Sequence, residues 1–505
     1  MVSRIKTVAA VGFDGYIVDV ECDMSKSLPS LQIVGLGNKA IEESKERIKS
    51  AITNSFLEFP KKRVTINLAP AELPKDGAHY DLPMALAILC ASGQIKQTEI
   101  NSSIFAGELA LDGSLRPIKG AINIAQAAKQ FGIRTIFLPS SNAMQASLIN
   151  GIEIFGLNSL KDLYLHLKNE NRLSPYVAPP QINSIQPIKS PSLDEIKGQE
   201  FAKRAMIIAA AGHHNILLTG SPGAGKTMLA KALANLLPDL TIDEQIAVTK
   251  IYSLAGKIDG EIITKRPFRS PHHTASPVSI TGGGNRPKPG EISLAHAGVL
   301  FLDEMPEYPR STLEALRQPL EDKKIDVSRA NGHVTYPSDF MLVSTMNPCP
   351  CGFFGDKTKE CTCTSTQIMS YQKKLSGPLL DRIDLVVHVS RVSNENLLDS
   401  RTLDYSQHLK VSANINDAIS KQNARYECGF KYNASLNNAE IKKYASLSNE
   451  SSSLLLKASE RLNLSARGYF KIIKVSRTIA DLADCKEIRP EHISEALQYR
   501  GEFKK

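Results

Sequence analysis

A multidomain α/β protein is predicted by three features of the sequence: its length, one proline-rich break, and strand–helix alternation on both sides of that break before a purely helical end. At 505 residues the chain exceeds what a single core sustains, since cores stop growing near roughly 250 to 300 residues. The break is "LSPYVAPPQINSIQPIKSPSLDE", Leu173 to Glu195, which holds five prolines and no sustained periodicity and reads as an extended linker. Before it, "KRVTINLAPAEL" and "GIRTIFLPSS" read as strands, and "DLPMALAILCASG" and "GAINIAQAAKQFG" as helices that stop at glycine. After it, "HNILLTG", "AGVLFLDE" and "FMLVSTMN" are short apolar runs separated by helical patterns such as "KTMLAKALANLLP". Continuous apolar strands alternating with helices suit a parallel sheet covered on both faces. From about Asn394 the pattern is helical, as in "SSSLLLKASERLNLS" and "RPEHISEALQYRG". The expected domains are 1–168 (α/β), 169–195 (linker), 196–392 (parallel-sheet core) and 393–505 (helical lid).

Apolar content of 42% and charged content of 22% describe an ordinary globular chain rather than a disordered or fibrous one. A net charge of +9 is compatible with an acidic partner and equally with a solvated surface. The first residues, "MVSRIKTVAAVGFDGYIVDVECDMS", carry acidic side chains where a signal peptide needs an apolar stretch, and no run reaches the roughly 18 to 20 apolar residues of a membrane span. A cytoplasmic protein without membrane contact is expected. In that compartment clustered cysteines point to metal or catalysis before disulfides.

"GSPGAGKT" fits the phosphate-binding pattern G-x-x-x-x-G-K-[ST], between a predicted strand and a predicted helix as that pattern requires. Its members Gly220, Ser221, Pro222, Gly223, Ala224, Gly225, Lys226 and Thr227 form the expected ATP cradle. Glycines let backbone N–H groups close around phosphates at a helix start, Lys226 reaches the β- and γ-phosphates, and Thr227 is a ligand for Mg²⁺. The second carboxylate site such a loop needs is supplied by "VLFLDE": Asp303 for Mg²⁺ at a strand end, then Glu304 to polarise a water. Together these motifs predict ATP hydrolysis.

The order of further motifs resembles an AAA+ ATPase of the magnesium-chelatase subunit type, from about Ile196 to Arg500. "VSTMNP" is similar to the first sensor strand, which implies that Asn347 orients the attacking water. "GPLLDRIDL" is similar to the arginine-finger segment, which implies that Arg382 points at a neighbouring subunit's γ-phosphate. "LSARGYFKIIKVSRTIADL" is similar to the second sensor, which implies that Arg467 meets the nucleotide of its own subunit. A finger acting in trans implies a ring, a homo-hexamer. In the front domain, "VTINLAPAELPKDGAHYDLPMALAIL" and "ELALDGSLRPIKGAINIAQAAKQFGIRTIFLP" resemble the Lon-protease core, but the nucleophile and lysine positions hold His79 and Ile122. Without a hydroxyl and an amine, the Ser-Lys mechanism cannot run. A degenerate Lon-like domain, a chelatase-type core and a helical lid in this order resemble the YifB/ComM family. That resemblance implies a hexameric ATP-driven motor that promotes branch migration as single-stranded DNA integrates during natural transformation, alongside recombination proteins. The competing expectation is a chelatase-type or chaperone-like ATPase that remodels a protein.

Two segments speak for single-stranded or branched DNA. The stretch from Lys257 to Lys288 is rich in cations, with Lys265, Arg266 and Arg269 as candidate phosphate contacts on a loop with a triple-glycine hinge. "KKIDVSRANGHVTYP" alternates around Asn331-Gly332, a hairpin signal, and resembles the hairpin that related ring motors project into a central pore. Arg329 is preferred over His333 as its phosphate contact. Finally, "NPCPCGFFGDKTKECTC" gathers Cys349, Cys351, Cys361 and Cys363. Four thiolates satisfy a structural Zn²⁺, with free thiols and redox regulation as the alternatives. Cys22, Cys90, Cys428 and Cys485 are scattered and read as core residues.

Overall fold

The computed structural model describes residues 2–35, 39–178, 190–258, 260–284, 287–329, 332–356, 359–391, 405–426 and 431–501. Cys428 and residues 179–189 of the expected linker lie outside them. Among the described residues no helix is long and apolar enough to cross a membrane.

The front domain is built on a seven-stranded sheet in the order Ser30–Val34, Arg63–Ala69, Asp14–Ser25, Ser3–Val11, Ser103–Phe105, Thr135–Pro139, Glu153–Leu157. Ser3–Val11 and Asp14–Ser25 form an antiparallel hairpin, and the three strands from Ser103 onward continue it in parallel. Helix Asp81–Ala91 is apolar all round and buried from Asp81 to Leu89, so it is a core helix rather than an amphipathic cover. Its one buried carboxylate, Asp81, is held by Arg47 Nε at 2.7 Å and by the Leu109 N–H at 3.2 Å. Helix Ala121–Gln130 buries Ile122 completely in the second cluster of this domain. His79 is partly buried: Nε2 donates to the Val8 carbonyl at 2.9 Å, and burial pushes the imidazole down to about 4. At the two positions where the Lon resemblance places a nucleophile and a lysine, the side chains thus pack and bond within the front domain.

The second domain carries a five-stranded sheet, all parallel, in the order Phe268–Arg269, Val299–Leu302, Met341–Met346, Ile216–Thr219, Leu385–His388. Every residue of Val299–Leu302 and Met341–Met346 is buried, as expected for strands covered on both faces. The helices Ser406–Arg425, Asn438–Tyr444, Asn449–Arg461, Ala466–Leu482 and Pro490–Gln498 share one continuous core with this sheet. Within that core, Asp481 accepts from Arg477 Nη2 at 2.9 Å, from Arg425 Nη1 at 3.1 Å and from Asn433 Nδ2 at 2.9 Å, so the buried carboxylate is fully paired.

Front and second domains touch through helix Ile242–Ala255. The Gly120 N–H donates to Ser253 Oγ at 3.0 Å, Lys250 Nζ lies 3.9 Å from the Phe13 ring centre and 2.8 Å from Gln126 Oε1, and Gln145 Nε2 donates to the Glu261 carbonyl at 2.7 Å. Gly12, at φ +62°, leaves the space that Val334 occupies, where any Cβ would clash.

Because folded His79 is protonated only near pH 4 and an unfolded histidine near 6.5, the unfolded chain takes up the proton first on acidification. Stability present above pH 6.5 is therefore lost as pH falls toward 4. The variant His79→Gln keeps a donor but does not titrate there. Thermal melts between pH 7.5 and 4.5 are expected to fall less steeply for the variant than for the natural chain, the readout being the difference between the two profiles.

Candidate nucleotide site and cysteine cage

The loop from Gly220 to Gly225 joins strand Ile216–Thr219 to helix Lys226–Leu236, and Gly223 and Gly225 sit at φ +78° and +84°, where only glycine is unstrained. The start of that helix presents unpaired backbone N–H groups, a ready site for phosphate. Lys226 Nζ donates to the Gly220 and Ser221 carbonyls at 2.6 and 3.1 Å and to Asn347 Oδ1 at 3.0 Å. Burial holds its ammonium below the usual lysine range, while Asp303 and Glu304 pull the other way.

Asn347 follows the neighbouring strand Met341–Met346, and Asp303 and Glu304 follow Val299–Leu302 one strand further, so parallel pairing delivers all of them to one end of the sheet. Thr227 Oγ1 lies 3.4 Å from Asp303 Oδ2, two adjacent hard oxygens that suit Mg²⁺, which takes one or two protein ligands and fills the rest with water and phosphate. The other Asp303 oxygen is fixed by Thr345 Oγ1 at 2.6 Å, and the same hydroxyl accepts the Glu304 N–H at 2.9 Å. Asn347 Nδ2 reaches Glu304 Oε1 at 3.4 Å. Thr345 was not among the expected residues. Its signal is its place two residues before Asn347 on the same buried strand.

Arg382 and Arg467 lie elsewhere. Arg382 precedes strand Leu385–His388, whose Leu385 pairs with Ile216 and whose His388 pairs with Thr219. A four-residue parallel strand is about 10 Å long. Arg382 is thus at the end of the sheet opposite the phosphate loop of its own chain. Its guanidinium donates to the Pro378 carbonyl at 2.6 Å and pairs with Glu321. Arg467 Nη2 meets the other oxygen of Glu321 at 2.6 Å. Arg467 therefore stands beside Arg382 rather than beside the phosphate loop of its own chain, where the same-subunit expectation places it. The carbonyl of Arg382 is fixed by Asn215 Nδ2 at 2.9 Å, and Asn215 Oδ1 accepts the Leu342 N–H at 2.8 Å.

Two of the cations proposed for DNA are otherwise engaged. Arg266, 6% exposed, is paired by both terminal nitrogens to Glu244 at 2.9 Å and donates to the Pro238 and Ala297 carbonyls at 2.6 Å. Arg269 forks onto Glu291 at 2.6 and 2.7 Å. Both are structural, and Phe268–Arg269 is an edge strand of the sheet rather than part of a loose loop. Lys265 is half-buried, with no carboxylate partner among the described residues. The hairpin forms as the alternation predicts, Lys324–Arg329 against Gly332–Pro337, with Arg329 opposite Gly332 at its far end.

The four cysteines converge. All four Sγ atoms lie within 4.8 Å of one another, with Cys349 to Cys351 at 3.3 Å, Cys349 to Cys361 at 3.7 Å and Cys351 to Cys361 at 3.6 Å. Tetrahedral zinc with bonds of about 2.3 Å places sulfurs about 3.8 Å apart, so the donor set fits. Backbone N–H groups of Phe354 and Cys351 donate to Cys349 Sγ and Cys363 Sγ at 3.3 and 3.4 Å. The Phe353 N–H aimed at Cys351 lowers that thiol to about 5. The cage sits on the phosphate loop rather than next to the finger: a Cβ on Gly352 would lie 2.6 Å from Pro222 Cδ.

Comparison with known families gives matches along most of the chain. The model of magnesium chelatase subunit ChlI matches residues 192–397, the model described as subunit ChlI of Mg-chelatase matches 20–142, and that of the ChlI C-terminal region matches 406–500. The chain is 40% identical over 497 residues to the competence protein ComM of Haemophilus influenzae, covering 98% of this chain and 96% of that one. It is 40% identical over 503 residues to the uncharacterized protein YifB of Escherichia coli, covering 99% and 97%. The chain belongs to the YifB/ComM family. Outside full-length YifB/ComM relatives, the magnesium-chelatase 67 kDa subunit of Chlorobaculum parvum is 27% identical over 158 residues, 30% of this chain and 23% of that one. A magnesium-chelatase-like AAA+ core with a helical C-terminal region is what the YifB/ComM frame and the sheet order have in common.

Removing Arg266 leaves Glu244 unpaired in a largely dry site, so Arg266→Ala is expected to lower unfolding stability by about 3 to 5 kcal/mol, measured by urea titration. The same substitution at exposed Lys257 is expected to shift the midpoint very little.

Proposed function

We propose that this chain is the subunit of a homo-hexameric, ATP-driven motor that acts on single-stranded and branched DNA in the cytoplasm and promotes branch migration during natural transformation. The observation that carries the motor is the division of the catalytic set: Lys226, Asp303, Glu304 and Asn347 gather at one end of the parallel sheet, Arg382 and Arg467 at the other. Only a second subunit can bring the two ends together. The full-length likeness to a protein named for competence supports the DNA task, and the hairpin ending at Arg329 supplies an element of the right shape to contact it.

In this reading the loop N–H groups and Lys226 hold the β- and γ-phosphates. Mg²⁺, when bound by Thr227 and Asp303, supplies positive charge to the phosphate oxygens. Glu304 polarises the attacking water, Asn347 orients it while holding Glu304, and Thr345 fixes the Asp303–Glu304 pair. The neighbour's Arg382 and Arg467 neutralise the charge that builds on the transferred phosphoryl group. The front domain is not a protease, because His79 is tied to Val8 and Ile122 is sealed in the core. The four cysteines hold a structural Zn²⁺.

A second reading, remodelling of a protein partner, draws on the internal pairing of Arg266 and Arg269, which removes two of four expected DNA cations. Hydrolysis rates with and without single-stranded and forked DNA, followed by strand displacement from a three-stranded junction, separate the two. DNA stimulation with strand movement supports the motor. A hexameric preparation showing neither contradicts it. Lys226→Ala and Glu304→Gln are expected to stop turnover, and Arg382→Ala or Arg467→Ala to slow it by about 10³-fold or more while ATP still binds.

A further inference from the structure

Between Met346 and Ser365 the described residues form no helix or strand, yet this segment makes one wall of the phosphate loop. Its turn is tight: the Gly352 N–H donates to the Cys349 carbonyl at 3.0 Å, and Gly352, at φ +86°, lies flat against Pro222. On the other side of the same turn, Phe353 is stacked under two cations, Lys359 at 4.3 Å and Arg391 at 5.6 Å from the ring centre. Arg391 Nη2 then donates to the Pro222 carbonyl at 2.9 Å, and Arg391 Nε lies 3.8 Å from Asp356 Oδ2. One side chain thereby ties the cysteine segment to the third residue of the ATP cradle.

We propose that the cysteine cage is a metal-dependent latch on the nucleotide site: zinc in the cage holds the Gly352–Phe353 turn against Pro222, and Arg391 transmits that hold to the loop carbonyl. The proposal rests on the reading of the cage as a zinc site. Its physical basis is that a segment without helix or strand lacks a backbone ladder, so the four sulfurs are, among the described residues, the one place where a bound ion could tie its two ends, Cys349–Cys351 and Cys361–Cys363, together. Four thiols within 4.8 Å of one another draw together around a cation and repel one another as bare thiolates. With the cage open, the turn and Phe353 leave the loop, and Arg391 loses the platform that aims it. The glycines of the cradle then relax, and phosphate binding carries the cost of ordering them. Arg391 acts here as a positioning residue.

The test uses the full chain, its zinc content measured by elemental analysis and its affinity for a fluorescent non-hydrolysable ATP analogue measured before and after chelation. One zinc per chain is expected, and its removal is expected to weaken analogue binding about tenfold or more, with recovery when Zn²⁺ alone is restored. Recovery separates the latch from irreversible unfolding. Arg391→Ala and Gly352→Ala are expected to weaken the analogue while zinc stays bound, about tenfold for the lost charge-assisted hydrogen bond. One zinc per chain with unchanged analogue affinity after its removal overturns the latch and leaves the zinc site standing. A chain that binds no zinc overturns both.

Discussion

Strand Ile216–Thr219 pairs in parallel with Met341–Met346 on one side and Leu385–His388 on the other, and the direction shared by the three strands decides what each can carry. Their carboxyl ends hold the phosphate loop, the sensor asparagine and, one strand further, the acidic pair. Their amino ends hold Asn215, Arg382 and, through Glu321, Arg467. A side chain cannot cross the length of the strand it precedes. On the proposed reading, the polarity that builds a nucleotide cradle in each chain makes the subunit half of a site. Asn215 precedes the strand that ends in the cradle, and its side chain holds the Arg382 carbonyl and the Leu342 N–H.

The front domain is joined to this machinery rather than strung beside it. Helix Ile242–Ala255 takes Gly120, Phe13 and Gln126 on one face, while its first turn supplies Glu244 to Arg266. Burial lowers the Lys250 ammonium to about 8, so this interface holds a cation at a cost that its ring and amide contacts and the charge of Asp14 partly offset. Gly12 also seats the hairpin through Val334, so the front domain packs directly against that element.

What could be read in advance was local. The cradle is a run of eight residues whose glycines are required by backbone conformation, the acidic pair closes an apolar strand, and the hairpin shows in simple alternation; each of these is found where its motif places it. The cysteine spacing likewise foretold convergence. Partners distant in sequence were not legible. Arg266 and Arg269 count as basic residues in a basic stretch, but each finds its carboxylate 22 positions away, one backward and one forward. Glu321, which gathers both arginines, is 146 positions from Arg467, and Pro222 is 169 from Arg391. No periodicity encodes those meetings; only the sheet order does. Arg467, on helix Ala466–Leu482, meets Glu321 rather than its own chain's loop, a placement that motif resemblance did not supply.

The most direct measurement of the divided site is complementation in mixed rings. Subunits with Lys226→Ala keep the arginines and lose the cradle's lysine; subunits with Arg382→Ala keep the cradle and lose the finger. Each preparation alone is inactive by this account. Co-assembled in equal amounts, they create interfaces that pair an intact cradle with an intact finger, and hydrolysis should return to about a quarter of the natural rate for random mixing around a ring. A mixture that assembles and remains as inactive as its two components would mean that the arginines serve the nucleotide of their own chain, and would contradict the account.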